Sequence, residues 1–298
     1  MTRAPIVTVV SNPGPIEAAW LARFADVVQI RRRIVGTISL RSLETKADER
    51  KPTVLLVHGR GHAASLWLPI MRELEEKFHF VAVDVPGFGH SAWRPPKTPS
   101  QADALSAFAA PIAELADELA AVAVVGHSLG GLIALEHALR RPAVLKALVL
   151  IGAMGLSPYI SLQARLYLQA GPERLARLKE LFGASAAATD GLSAELLAVR
   201  RELALAKGGA RAKGAFDKLV PLRGDCVSRE HALQSVSAKT LLLWGERDEA
   251  FPLPIAMKAK GLLPSAELCV LPAAHSPQIE MPGRVAAELS RFLSNTLG

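Results

Sequence analysis

The chain has 298 residues, half of them apolar and 21% charged, with a formal net charge of +7 and a pI near 9.6. That composition excludes disordered and collagen-like classes. The two cysteines, Cys226 and Cys269, lack a CxxC or Cys/His spacing, which excludes a disulfide scaffold or a zinc finger. Lys and Arg are scattered along helical segments instead of forming a run, and no nucleic-acid motif accompanies them, so no nucleic-acid partner is expected.

Residues 1–34 read as an N-terminal extension. The apolar run Ile6 to Val10 is too short for a signal segment and is broken by Asn12, Pro13 and Gly14. No stretch of about 18 uninterrupted apolar residues follows anywhere, so no membrane span and a cytoplasmic protein are expected. Pro13 and Pro15 lead into a helix from Ile16 to Asp26. Alternation from Val35 to Leu43 suggests edge strands.

Thr53 to Val57 is a continuous apolar strand, of the kind buried on both faces in a parallel sheet. It ends in His58-Gly59-Arg60-Gly61-His62. A helix follows, with Ser65 as its N-cap and Leu66, Ile70 and Leu74 on one face. The next strand, Phe78 to Val83, ends in Asp84-Val85-Pro86-Gly87-Phe88-Gly89-His90-Ser91, a tight structural turn. A helix over about Ser100 to Leu119 precedes the strand Ala121 to Val125.

That strand runs into Gly126-His127-Ser128-Leu129-Gly130-Gly131, after which Leu132, Leu135 and Leu139 fall at helical spacing. Strand, Gly-x-Ser-x-Gly and helix together describe a sharp turn that pushes the serine hydroxyl clear of the sheet. Two plainer readings exist: a simple strand-to-helix turn, or a helix start that holds an anion.

Lys146 to Ile151 is a further strand. From Ser157 to Val236 only helical periodicity remains, punctuated by Gly171-Pro172, Gly183, Gly191, Gly208-Gly209 and Pro221, which suits about four short helices. Alternation resumes with strand Lys239 to Trp244, helix Leu253 to Leu262 and strand Leu268 to Leu271. A last helix has Pro282 in its first turn and Val285, Leu289, Phe292 and Leu293 on its inner face. This order implies an α/β fold: a mostly parallel sheet with helices on both faces and one helical insertion. The core covers 35–152 and 237–298, and the insertion 153–236. In such sheets, sites form at the carboxyl ends of the strands.

The signatures at these strand ends, taken with a late Asp and His, resemble the α/β-hydrolase superfamily with an eight-stranded type of sheet. The resemblance covers about residues 35 to 297 and is weak in the insertion, which in this family is a variable cap or lid. It implies Ser128 as nucleophile, Asp248 in Trp244-Gly245-Glu246-Arg247-Asp248 as acid, and His275 in Ala274-His275-Ser276 as base. Ser, Asp, His is the chain order of this fold. Glu246 sits two residues too early to be the acid, and the other reading of Asp248 is an ordinary Asx-turn former.

The resemblance also implies an oxyanion hole from the backbone N–H groups of Leu129 and Arg60. The side chain of Arg60 either binds a substrate carboxylate or points to solvent. Gly61 and His62 are candidates for substrate contact, and His90 could also border the pocket, although surface or structural roles suit His62 and His90 better. His58 braces loops, His127 faces away from the base, and His79, His137 and His231 are surface or satisfied helix residues. Trp67 packs beneath the turn.

The implied activity is hydrolysis of a carboxylic ester, thioester or lactone of a small, largely apolar molecule, with no cofactor and no metal. The serine argues against the dehalogenases and epoxide hydrolases of this fold, which carry Asp at the elbow. One alternative is hydrolysis of a carbon–carbon bond in a dienoate. Relatives with that activity add an Arg and an Asn around the pocket, which the sequence does not assign here. A receptor or scaffold that retains the triad is the alternative outside enzymes. Leu162, Leu166, Leu168, Leu175, Leu178 and Phe182 suggest apolar cap walls. Oligomeric state leaves no trace in the sequence.

Overall fold

The computed structural model describes residues 12–98, 100–169, 191–205 and 208–298. The chain enters through helix α1 (Pro15–Ala22), which is shorter than the expected span to Asp26 and gives way to a turn before the first strand. Strands β1 (Val28–Val35) and β2 (Ile38–Thr45) form a hairpin closed at Gly36, whose φ of +56° suits glycine. The sheet therefore starts at Val28, not Val35, and residues 28–34, read as extension, belong to it. The reason is exposure. As the outermost strand, β1 turns Ile30 and Ile34 to solvent beside Arg31 and Arg32, so its sequence carries no inside–outside alternation.

Strands β3 (Thr53–Val57), β4 (His79–Val83), β5 (Ala123–His127), β6 (Ala147–Ile151), β7 (Lys239–Gly245) and β8 (Ala266–Leu271) complete one eight-stranded sheet in the order β1-β2-β4-β3-β5-β6-β7-β8. The β1–β2 and β2–β4 pairs are antiparallel and the rest parallel. Alternation along each strand splits the core in two. Leu55, Val57 and Val124 pack on one face with α3 (Gln101–Glu118) and α4 (Leu129–Arg140). Val54, Leu56 and Val125 pack on the other with α2 (Leu68–Leu74) and the C-terminal helix. Strand order reverses at β3, flanked by β4 on one side and β5 on the other, the kind of switch point at which sheets of this type form their crevice.

Between β6 and β7 the insertion contributes α5 (Leu162–Gln169), α6 (Gly191–Leu205) and α7 (Gly208–Leu219). Helix α6 packs on α1 and on the 3₁₀ turn Ala64–Trp67, and α7 packs on α3. Of the apolar cap residues, Leu168 is buried, but Leu162 and Leu166 are exposed. Leu175, Leu178 and Phe182 lie outside the described residues.

The chain ends with α8 (Leu253–Leu262), the short α9 (Pro277–Glu280) and α10 (Pro282–Leu297), which starts on Pro282 and buries Val285, Leu289, Phe292 and Leu293 as the spacing predicts. Among the described residues no helix is long and apolar enough to cross a membrane.

Candidate active site

The turn after β5 is strained at one residue. Ser128 has φ +54° and ψ −116°, a conformation that non-glycine residues avoid and that persists only where surroundings enforce it. The enforcement is visible. Ser128 N–H donates to Ile151 O at 3.0 Å, and the Ser128 carbonyl accepts from Gly131 and Met154 N–H. A Cβ at Gly126 would lie 2.2 Å from Gly130 O, and one at Gly130 would lie 2.2 Å from Val57 O, so only glycine lets the elbow close on itself and on β3. Leu129 opens α4, and its N–H is among those that a helix start leaves without an intrahelical acceptor.

The late Asp and His converge on this serine. His275 Nε2 lies 3.1 Å from Ser128 Oγ, and His275 Nδ1 lies 2.9 Å from Asp248 Oδ2. Asp248 is buried, and its other oxygen accepts the N–H groups of Ala250 and Phe251 at 2.9 Å each. It thus makes an Asx-type turn and engages the histidine at once. Glu246, the neighbouring carboxylate, is exposed.

The His275 backbone is fixed on both sides. Glu280 accepts the N–H of Ala274 at 2.8 Å and of Ser276 at 3.1 Å, and His127 Nε2 sits 2.9 Å from His275 O. His127 does not face away from the base: the two rings are 4.9 Å apart. It packs there because its carbonyl-bound nitrogen must meet the His275 loop. Neither Glu280 nor this contact announced itself in the sequence, since both depend on how the loop after β8 folds back over β5.

Arg60 follows β3, beside the elbow. A Cβ on Gly59 would meet Ser128 Cβ at 3.0 Å, which shows how closely this turn approaches the serine. The Arg60 guanidinium lies over the Phe216 ring of α7, 5.0 Å from its centroid, so it neither points to solvent nor projects freely. Gly61, at φ +70°, borders open space. His62 is buried and stacks flat on His127, 5.2 Å between centroids. Burial pushes both His62 and His127 well below the ordinary histidine range. The positive charge of Arg200, a half-buried residue of α6 that sequence reasoning did not single out, adds to the effect.

Beneath the turn lies a buried ionic network. Arg41 Nε donates to Asp84 Oδ2 at 2.7 Å, and Arg41 Nη2 donates to Glu17 Oε1 at 2.9 Å. His90 Nε2 pairs with Glu17 Oε2 at 2.7 Å, and His58 Nε2 accepts the Val85 N–H at 3.0 Å. Burial alone would raise both carboxyl groups. For Glu17 the hydrogen bond from His90 and the charge of Arg41 outweigh it, and for Asp84 the charge of Arg41 and the backbone N–H groups of Ala64 and His90 do. Ser65 is not a helix N-cap: it lies in the 3₁₀ turn, and its hydroxyl donates to Glu17 Oε1 at 2.8 Å. Trp67 is buried next to it. His79 is half-buried, 3.2 Å from Thr53 Oγ1. His231 is exposed. His137 is buried, and neither ring nitrogen has a hydrogen-bond partner among the described residues, so it is not the surface or satisfied residue expected.

The family model of the alpha/beta hydrolase family matches residues 54–288. The dihydrolipoyllysine-residue acetyltransferase component of the acetoin cleaving system of Pseudomonas putida is 31% identical over 270 residues, covering 87% of this chain and 68% of that protein. The structure of 2-hydroxy-6-oxo-6-phenylhexa-2,4-dienoate hydrolase from Rhodococcus sp. strain RHA1 matches with a TM-score of 0.73 and 26% identity, covering 89% of this chain and 99% of that one. A membrane phospholipase A, a bacterial virulence factor, matches with a TM-score of 0.76 and 26% identity over 95% of this chain and 93% of that one.

Proposed function

The chain belongs to the alpha/beta hydrolase family and is a hydrolase, and from that premise we propose that it cleaves a carboxylic ester, thioester or lactone through an acyl-enzyme on Ser128. The observation that carries this reading is the relay Ser128 Oγ, His275 Nε2, His275 Nδ1, Asp248 Oδ2, with steps of 3.1 and 2.9 Å. The phospholipase A among the structural relatives supports it.

In this reading His275 removes the Ser128 proton as Oγ adds to the substrate carbonyl, and Asp248 stabilises the imidazolium that forms. The oxyanion sits on the N–H groups of Leu129 and Arg60, each worth about 3 kcal/mol to the transition state. His275 then returns the proton to the departing alkoxide or thiolate. A water molecule repeats the sequence and frees the acid. Gly61, facing open space, is a natural neighbour of the substrate, whereas His62 acts by packing against His127. The insertion between β6 and β7 selects the substrate, which is a small molecule. The free thiols Cys226 and Cys269 fit a cytoplasmic setting.

One observation favours a second reading, hydrolysis of a carbon–carbon bond in an anionic dienoate. The positive charge of Arg200, on cap helix α6, opposes protonation of His62 and His127, and a cation on this side of the site suits an anionic substrate. The dienoate hydrolase among the relatives supports it.

The test is direct. Purified protein is treated with a fluorophosphonate probe and with p-nitrophenyl butyrate, beside Ser128→Ala. Labelling and turnover that vanish in the variant support the proposal, and equal behaviour of the two proteins rejects it. A dienoate substrate in parallel decides between the two readings.

A further inference from the structure

Helix α1 lies ahead of the family-matched residues 54–288 and enters no step above. It is nevertheless tied to both walls of the cleft. On the core side, Glu17 accepts from Ser65 Oγ at 2.8 Å, and Trp20 Nε1 donates to the Ser65 carbonyl at 2.8 Å. Through Arg41, Glu17 also steadies Asp84, which accepts the Ala64 N–H at 2.7 Å. On the cap side, the Glu202 carboxylate of α6 accepts the N–H groups of Ile16 and Glu17 at 3.0 and 2.7 Å, and Arg23 pairs with Glu195. Charge at this helix end is favoured by the helix dipole.

The oxyanion turn is thus a short span pinned at two places. His58 is held by the Val85 N–H, and Ala64 and Ser65 are held by Asp84 and α1. Between the pins runs Gly59 to Ala63, with Gly61 at φ +70° and open space beyond it. No sheet ladder reaches these residues, so their position depends on the pins together with the His62–His127 stack, the Arg60–Phe216 contact and the His58 Nδ1 contact with Gly59 O. A displacement of about 1 Å in a catalytic donor can cost about a hundredfold in rate.

We propose that α1 is a working part of the active site: Glu17 and Trp20 are positioning residues that hold the oxyanion turn against Ser128, and the same helix couples the seating of cap helix α6 to that turn. The proposal rests on the hydrolase reading above.

Trp20→Phe keeps an aromatic ring but removes the Nε1 donor and the pyrrole part of the buried indole, Glu17→Gln removes the buried charge, and Glu202→Gln loosens the cap end. Each is measured for kcat and KM on p-nitrophenyl butyrate, for affinity to butylboronic acid as a mimic of the tetrahedral intermediate, for melting temperature, and for hydrogen exchange over residues 58–66. Trp20→Phe should lower kcat and boronate affinity together, by about three- to tenfold, with KM nearly unchanged. Glu17→Gln should lower them by about tenfold or more, and all three variants should speed exchange of 58–66. Unchanged exchange and boronate affinity in both core-side variants would overturn the proposal. So would losses that match only the unfolded fraction. Unchanged exchange in Glu202→Gln alone would overturn the coupling to the cap. If the wild type neither turns over the ester nor binds the boronate, the ester-hydrolysis reading fails, and the exchange data still decide the role of α1.

Discussion

Replacing Asp248 by Asn removes one charge at almost no change in volume, and the structure dictates which way the new amide must point. One carboxylate oxygen accepts two backbone N–H groups, from Ala250 and Phe251, at 2.9 Å. An NH₂ group there would face two donors, so the Asn oxygen takes that side and its NH₂ turns to His275 Nδ1. That nitrogen must then accept, which places the imidazole proton on Nε2, facing Ser128 Oγ 3.1 Å away. The base carries its proton on the wrong nitrogen. In other Ser-His-Asp triads the same change costs about 10⁴ in kcat, equivalent to about 5 kcal/mol of barrier. The assay is p-nitrophenyl butyrate hydrolysis by Asp248→Asn, with melting temperature and the fluorophosphonate labelling rate as companions. Folding should survive, and both rates should fall by about 10³ to 10⁴. A variant that stays within tenfold of wild type would refute the tautomer argument.

Gly59→Ala places a methyl group 2.7 Å from His127 Nδ1 and 3.0 Å from Ser128 Cβ, so labelling of Ser128 should slow by about a hundredfold; wild-type labelling would contradict the close approach. Arg41→Met strips the buried Asp84 and Glu17 of their cation and should destabilise by about 3 to 5 kcal/mol, read from urea denaturation midpoints. Stability should fall as pH drops below the ordinary histidine value of 6.5, because burial lowers the folded-state values of His58, His62 and His127. The unfolded chain then binds protons that the folded chain refuses. The limiting slope is about 1.4 kcal/mol per pH unit for each such histidine, and a flat melting temperature from pH 7 to 5 would contradict it. If Arg200 receives a substrate carboxylate, Arg200→Gln should cut kcat/KM on a hemisuccinate ester about tenfold while leaving a neutral ester of equal length within twofold. Equal losses on both would remove Arg200 from recognition.

The central strands were legible because they are buried on both faces and read as unbroken apolar runs, as Thr53 to Val57 and Ala147 to Ile151 do. The elbow was legible because glycine at 126 and 130 is a steric necessity that survives in one dimension. Strand β1 was not, since an edge strand facing solvent carries Arg31 and Arg32 where alternation would have shown it. Glu17, Arg41, Glu202 and Glu280 were invisible for another reason: each acts by meeting a group between 4 and 186 positions away in the chain, and nothing in residue type or spacing marks such a meeting. Ser65 misled because a serine before an apolar run is the usual mark of a helix start, and here its hydroxyl has a stronger acceptor in Glu17.

Every step of the proposed reaction passes through an acyl group on Ser128. The most direct test is peptide mass spectrometry of protein quenched in acid during turnover of p-nitrophenyl butyrate. A butyryl adduct should appear on Ser128, absent from Ser128→Ala, and accumulate before a steady state is reached. Ester turnover with Ser128 unmodified and the adduct on another residue would contradict it.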